Sequence, residues 1–169
     1  MMGEQPYHKY VFDIKNRKFV GNFEEMYANE GKENYDSWYQ EDLTHFGKQL
    51  SLLLLSRYNF TSILDIGCGK GTFTHLLKKA NNEVVGTDIS ETAIQKAKAK
   101  YRDIKFLKLT AEEALNLKKN WDLVILMEIL SYCENWRDIL SKVAEQSIYI
   151  PLHPNQSNWV CQKFYGVKN

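Results

Sequence analysis

From residue 62 onward, short apolar runs alternate with stretches in which apolar residues recur every three or four positions. The apolar runs predict five strands, over residues 63–66, 83–87, 104–109, 121–127 and 147–150. The periodic stretches between them predict four helices, at residues 72–80, after Ser90 up to Tyr101, at 112–117 and around 136–143. Repeated strand–helix units of this length favour an α/β fold with a mainly parallel sheet and right-handed crossovers.

The first 60 residues have a different pattern, polar but rich in aromatic side chains, which is not the composition of a disordered tail. It predicts a short helix over residues 22–27, and residues 36–42 lead into a longer one that runs through Tyr58. This helical segment is either a cap packed on the sheet or a lid over a ligand that carries Trp38 and Tyr39. The sequence leaves both interpretations open.

Composition narrows the class of protein. The chain has 169 residues, a net charge of +1 and 44% hydrophobic residues, which is typical of a single globular domain. The charge offers no bulk attraction to nucleic acid or to a membrane surface, and we expect neither as a partner. Three cysteines without C-x-x-C spacing predict no metal site and a reducing compartment. We therefore expect a cytoplasmic protein.

The candidate chemistry lies at the end of the first predicted strand. Asp65, Gly67, Gly69 and Gly71 fall on alternate positions and lead directly into a helix. A glycine-rich strand-to-helix turn at the carboxyl edge of a parallel sheet is where open α/β folds bind nucleotide-like ligands. The dinucleotide fingerprint G-x-G-x-x-G requires its third glycine at position 72, where this chain has Thr72.

The Asp-x-Gly-x-Gly-x-Gly pattern resembles the first motif of the class I S-adenosylmethionine-dependent methyltransferases. The resemblance covers residues 62–150 and implies a Rossmann-like methyltransferase fold, with about five strands and helices on both faces. It implies one domain, residues 1–169, that divides into an N-terminal helical cap (1–60), a cofactor-binding core (61–150) and a C-terminal segment (151–169). It also implies that the cofactor is S-adenosylmethionine.

The resemblance assigns cofactor contacts to the ends of several strands. Asp88, after the second strand, is expected to bind the ribose diol, and Ile89 to pack on the adenine. The backbone at Gly69 is expected to meet the cofactor closely. The other expected contacts are Asp65, Gly67, Cys68, Gly71, Thr110, Ala111, Glu112, Met127 and Glu128, with Trp38 and Tyr39 from the N-terminal segment.

Structural alternatives exist for three of these side chains. Asp88 is also suited to place a negative charge ahead of the following helix. Thr110 stands where the family has aspartate, and with Glu113 it fits a helix capping box equally well. Glu128 is alternatively a solvated loop carboxylate.

Methyl transfer requires an in-line nucleophile, sometimes with a base. His153 is the first candidate base and Tyr132 the second. The acceptor is expected to be a small molecule, and the patterns near residues 36–43 and 150–154 resemble methyltransferases of sugar or glycan precursors. The alternatives are a catalytically silent domain that binds the cofactor as a partner subunit and, less favoured because of Thr72, an NAD-dependent oxidoreductase.

The family's sheet usually continues beyond the fifth strand with a helix and an antiparallel hairpin. Residues 151–169 are too few for all of these elements. We therefore expect an edge of the sheet that lacks its usual strands, and either a homodimer formed through this side or a monomer of marginal stability.

Overall fold

The computed structural model describes residues 5–117, 120–146 and 148–149. Within these ranges there are seven strands. They are β1 (Phe12–Asp13), β2 (Lys18–Phe19), β3 (Ser62–Ile66), β4 (Glu83–Asp88), β5 (Lys105–Lys108), β6 (Leu123–Ile125) and β7 (Ile148–Tyr149). The same ranges contain seven α-helices, which are α1 (His8–Val11), α2 (Phe23–Glu33), α3 (Phe46–Leu55), α4 (Thr72–Leu76), α5 (Glu91–Lys100), α6 (Ala111–Leu115) and α7 (Trp136–Gln146). Two short 3₁₀ turns cover Ser37–Tyr39 and Leu130–Tyr132.

The last five strands form one parallel sheet in the order β5-β4-β3-β6-β7. Leu64 in the central strand β3 lies opposite Val85 of β4 and Val124 of β6. Every residue of β3 and β6 is buried, because helices cover both faces of the sheet. The predicted α/β fold with its five parallel strands is confirmed.

The strand order reverses next to β3. The chain runs outward from β3 to β4 and β5 and then returns to the other side of β3 as β6. The connections after β3 and β6 therefore leave the sheet in opposite directions and open a crevice at the carboxyl ends of these strands. Such a crevice is where ligands bind in open α/β sheets.

Several predicted elements have different limits in the structure. The helix predicted over residues 72–80 ends at Leu76, because Asn82 folds back on the chain: its Nδ2 donates to the Leu77 carbonyl (2.9 Å) and its Oδ1 accepts from the Lys79 N–H (2.8 Å). The predicted strands 104–109 and 121–127 shorten to β5 and β6. Ser147 and Ile150, at the ends of the fifth predicted strand, lie outside the described residues.

The helix predicted after residues 36–42 is present as α3 but is shorter at both ends, and the chain before it forms a 3₁₀ turn and a loop. Trp38 and Tyr39 adopt left-handed backbone angles (φ 58° and 50°), which a continuous helix does not allow. The Lys48 ammonium lies within the loop and donates to the carbonyls of Tyr39, Gln40 (3.1 Å) and Asp42 (2.9 Å). Backbone acceptors are thus satisfied without helical hydrogen bonds.

The N-terminal segment packs on the core through α2. Its N-cap is Asn22, and the helix runs to Glu33, well beyond the short helix predicted over residues 22–27. Met26 and Tyr27 are buried against Ala93 of α5. Glu24 accepts a hydrogen bond from the Ser90 hydroxyl (2.7 Å), so its carboxylate lies at the N-terminus of α5, where negative charge is stabilising. Ser90 caps that helix as the sequence predicts.

Glu30 links α2 to the core by charge. Its buried carboxylate pairs with Lys96 of α5 (2.6 Å) and with Lys70 of the glycine turn (3.0 Å), and it accepts from the Ser37 N–H (2.9 Å). Burial alone raises the pKa of Glu30, but the hydrogen bonds from Lys96 and Ser37 and the charge of Lys70 outweigh it and hold the pKa below its ordinary value. The N-terminal segment is therefore fixed to the turn that follows β3.

In the part of the chain that the structure covers, no helix has both the length and the apolar character needed to cross a membrane.

We expect Glu30→Gln to lower the free energy of unfolding by about 2 kcal/mol at pH 7, because hydrogen bonds to a buried charged group contribute about 1.5–3 kcal/mol. Urea denaturation followed by circular dichroism measures the change. The matched control is Glu33→Gln on the same helix, whose exposed carboxylate pairs with Lys9, and which should change stability much less because solvent screens an exposed ion pair. Equal losses in the two variants would contradict the role assigned to Glu30.

Candidate functional site

The turn after β3 is built on the end of β4. The N–H groups of Gly67 and Cys68 both donate to the carbonyl of Thr87, at 2.8 and 2.9 Å. The three glycines have positive φ angles of 77°, 54° and 77°, which side-chain-bearing residues rarely adopt. The sequence pattern of alternate glycines therefore corresponds to a backbone that requires them.

Each glycine also makes room for a different neighbour. A Cβ at Gly67 would lie 2.2 Å from Cγ2 of Ile129, and one at Gly71 would lie 2.6 Å from Cζ of Phe106 in the core. A Cβ at Gly69 would meet the amide of Gln40, 2.3 Å from its Nε2. The group that approaches Gly69 in this structure is thus the Gln40 side chain, which also accepts from the Lys70 N–H (2.7 Å).

A cavity of about 360 Å³ opens at the crevice beside this turn. Eleven of the cofactor contacts expected from the sequence line it: Trp38, Asp65, Gly67, Cys68, Asp88, Ile89, Thr110, Ala111, Glu112, Met127 and Glu128. Tyr132 lines it as well. Gly69, Gly71 and Tyr39 do not, and His153 lies outside the described residues. The structure therefore brings most of the predicted set together.

Asp88 is buried at the end of β4, on the wall of this cavity. Its two oxygens accept from the N–H groups of Gly69 and Ser90, both at 2.9 Å. Burial raises the pKa of Asp88 above its ordinary value, although these backbone hydrogen bonds oppose the shift. The carboxylate thus connects the glycine turn to the start of α5 and remains able to accept from a ligand hydroxyl.

Asp65 lies one strand away and is also buried. Burial raises its pKa to about 7, against the effect of the Thr74 hydroxyl, which donates to its Oδ2 at 2.6 Å; the charge of Asp88 raises it further. At neutral pH this carboxyl group is therefore close to half protonated.

The segment after β5 adopts the capping arrangement that the sequence left open for Thr110. Its hydroxyl accepts from the Glu113 N–H (3.3 Å), and the Glu113 carboxylate accepts from the Thr110 N–H (2.8 Å). Glu112 receives a hydrogen bond from Asn135, which lowers the pKa of this carboxyl group. The Thr110 side chain thus caps the start of α6, at a position that lines the cavity.

Glu128, after β6, has a left-handed backbone (φ 59°), which is unusual for a residue with a long side chain. Left-handed non-glycine residues concentrate at functional sites. Tyr132 lies nearby among four rings of the N-terminal segment, at 5.4–6.1 Å between centroids: Phe12, Phe19, Phe23 and Trp38. Burial, with the charge of Glu128, raises the pKa of Tyr132 to about 12. Its hydroxyl therefore keeps its proton at neutral pH and is better suited to donate a hydrogen bond than to act as a base.

Sequence analysis missed four residues of the N-terminal segment that complete the wall of the cavity: Phe23, Tyr27, Gln40 and Lys48. The Tyr27 hydroxyl accepts from Gln40 Nε2 (2.6 Å), and burial raises the pKa of this phenol well above its ordinary value. The high aromatic content of residues 1–46 is the one sequence signal that pointed to this wall. It does not reveal which side chains face the cavity.

A second cavity of about 140 Å³ adjoins the first. The two share Trp38, Lys48, Met127 and Glu128 as lining residues. The smaller one is completed by Tyr7, Tyr39, His45, Gly47 and Ser51. Tyr39 thus belongs to this cavity and not to the larger one.

We expect the raised pKa of Asp65 to appear in the pH dependence of stability. The unfolded carboxyl titrates near pH 4 and the folded one near pH 7, so stability that is present at low pH is lost as the pH rises between these values. Asp65→Asn removes this loss. Its free energy of unfolding, relative to that of the wild type, should therefore rise by about 2–4 kcal/mol between pH 4 and pH 8.

Urea denaturation across this pH range measures the difference between variant and wild type. Asp103→Asn, at an exposed position, is the matched surface control. A constant difference for Asp65→Asn at all pH values would contradict the titration assigned to this group.

Comparison with known proteins agrees with this geometry. Residues 64–146 match a family model described as a methyltransferase domain. Two relatives are named ubiquinone biosynthesis O-methyltransferase. The one from Mesorhizobium japonicum is 34% identical over 74 residues, and the one from Pelagibacter ubique is 37% identical over 73 residues. Each match covers 41% of this chain and 30% of the relative.

A solved structure with the same fold is that of the plantazolicin methyltransferase BpumL, in complex with monoazolic desmethylPZN analog and SAH. The TM-score is 0.57 at 24% identity, and the match covers 72% of this chain and 51% of that one. The predicted family and fold are both confirmed. Residues 64–146 therefore resemble the methyltransferase-domain family, and the sheet has the Rossmann-like methyltransferase fold.

Proposed function

We propose that this chain transfers a methyl group from S-adenosylmethionine to a small-molecule acceptor. The observation that carries the proposal is the cavity of about 360 Å³ at the strand-order reversal, with the buried Asp88 carboxylate on its wall. This volume lies within the range of about 300–1,000 Å³ typical of cofactor and ligand sites. The chain spans 30% of the relatives that it matches, so activity and substrates are inferred here from the site.

The residues present fit the cofactor. A ribose diol offers two hydroxyl donors, and the Asp88 carboxylate retains acceptor capacity beyond its two backbone partners. Ile89, half exposed beside it, offers an apolar surface to a flat base. Asp65 and Glu128 place carboxyl groups on the same cavity wall, where they would favour a cationic ligand.

When bound, S-adenosylmethionine supplies an electrophilic methyl group, whose bond to sulfur breaks as a bond to the acceptor forms. The chain's own residues would bind and orient the two reactants and exclude water. Tyr132 would act as a hydrogen-bond donor, given its raised pKa. The base role predicted for His153 falls on a residue outside the described part of the chain and stays a prediction.

Support for an oxygen acceptor comes from the two relatives named O-methyltransferase. The sugar or glycan precursor expected from the sequence stays a prediction, as do the homodimer and the cytoplasmic location. We also propose that residues 1–60 and the core act as one unit, because Phe23, Tyr27 and Trp38 complete the cavity. An NAD-dependent oxidoreductase is the less favoured alternative.

We expect Asp88→Ala to weaken S-adenosylhomocysteine binding about ten- to a hundredfold, since a charge-assisted hydrogen bond contributes about 1.5–3 kcal/mol. Calorimetric titration measures the affinity, and circular dichroism verifies the fold. Asp88→Asn, which keeps an acceptor for one backbone N–H, separates loss of charge from loss of the turn. Asp103→Ala is the surface control.

Unchanged affinity in folded Asp88→Ala would refute the contact, and NAD binding tighter than S-adenosylhomocysteine would refute the methyltransferase assignment. A chain that binds S-adenosylhomocysteine but methylates none of a panel of phenolic, sugar and carboxylate acceptors would favour the catalytically silent domain.

A further inference from the structure

We propose, as an extension of the proposed function, that the acceptor is a small planar aromatic ring with one or two hydroxyl groups, bound in the second cavity. The first argument is position. Trp38, Lys48, Met127 and Glu128 line both cavities, so a ligand in the smaller one lies directly beside the contents of the larger one. Two reactants of a transfer reaction need this adjacency.

Size is the second argument. The volume of about 140 Å³ is close to that of an engineered protein cavity of about 150 Å³ that binds benzene. One six-membered ring with small substituents therefore fits, whereas a disaccharide or a nucleotide sugar does not.

The third argument is the aromatic lining. Tyr7 lies edge-to-face with Trp38, at 5.1 Å between centroids and an interplanar angle of 61°. It has a similar relation to Tyr39, at 6.5 Å and 82°. Aromatic rings attract one another in such edge-to-face and offset arrangements. A flat ring that enters beside Trp38 and Tyr39 extends this set of contacts.

The fourth argument is the number of polar groups that remain for a ligand. The Lys48 ammonium donates to three carbonyls, and the Ser51 hydroxyl donates to the Gly47 carbonyl (2.7 Å). The Tyr7 phenol has a backbone hydrogen bond from Trp38. Among the described residues that line this cavity, the side chains that make no hydrogen bond include His45, Glu128 and Tyr39.

Three such groups match one or two hydroxyls on a ring. A monosaccharide with four or five hydroxyls would leave some of them buried without partners, at about 1–3 kcal/mol each. The lining therefore favours a phenol or a catechol over a sugar, in contrast to the expectation from the sequence.

The test is an NMR titration of the ¹⁵N-labelled 169-residue chain, first alone and then saturated with S-adenosylhomocysteine. The probes are catechol, trans-1,2-cyclohexanediol, which has the same two hydroxyls on a non-aromatic ring, and methyl glucoside. We expect catechol to shift the amide signals of residues 38–39 and 45–48 and to bind at least tenfold more tightly than either of the other two.

Three variants locate the ring. Tyr39→Ala should weaken catechol binding about three- to tenfold, and Tyr39→Phe, which keeps the ring but loses one hydroxyl partner, should weaken it clearly less than Tyr39→Ala does. His45→Ala, at an exposed position where the fold is not at risk, should weaken it by about threefold or more. Tyr58→Ala, an exposed tyrosine outside both cavities, is the control and should bind as the wild type does.

Equal binding of catechol and the cyclohexanediol, tighter binding of methyl glucoside, or catechol shifts confined to Gly67 and Asp88 would each overturn the proposal. Failure of S-adenosylhomocysteine to bind would instead refute the proposed function. The titration of the ligand-free chain still decides what the second cavity binds in that case.

Discussion

The carbonyl of Thr87 at the end of β4 fixes the geometry of the whole site, because it accepts from two consecutive N–H groups of the glycine turn. This pair of hydrogen bonds ties the connection after β3 to the neighbouring strand and forces the chain through three left-handed positions. Asp88, the next residue, then receives the Gly69 N–H and the Ser90 N–H. Two adjacent residues of β4 thus position the turn, the start of α5 and the carboxylate that faces the cavity.

The N-terminal segment depends on the same turn. Lys70, between two of the glycines, pairs with Glu30 and with Asp36 (2.6 Å), and Gln40 fills the space that the absent side chain of Gly69 leaves. These contacts place Tyr27 and Trp38 on the cavity wall. The sequence left a cap and a lid as equal alternatives. The segment packs on the core as a cap and at the same time lines the cavity, so the two descriptions share one set of residues.

The core could be predicted because its signals are local. The apolar runs locate the five strands, the alternate glycines locate the turn, and Ser90 caps α5 as expected. In the first 60 residues the sequence predicted two helices but not how they pack, because their packing depends on contacts between residues far apart in sequence, such as Glu30 with Lys70 and Glu24 with Ser90. The left-handed backbone of Trp38 and Tyr39 has no sequence signal either, since neither residue favours it. Gln40 and Lys48 were missing from the predicted site for the same reason: they line the cavity together with residues far away in sequence.

Two buried carboxyl groups on one cavity wall have an energetic consequence. Burial raises the pKa values of Asp65 and Asp88, so their charged forms are disfavoured in the folded chain. A cation in the cavity would attract both carboxylates and lower their pKa values. This attraction would contribute to the free energy with which the cation binds. A neutral ligand of the same shape would gain nothing from this effect. The site is therefore built to prefer a positively charged ligand over its neutral counterpart. This preference should be greatest above pH 7, where Asp65 is ionised, and should decrease as the pH falls and Asp65 becomes protonated. A sulfonium cofactor and its neutral thioether product differ in this one charge, so the same carboxyl groups that favour binding of the reactant would also favour release of the product.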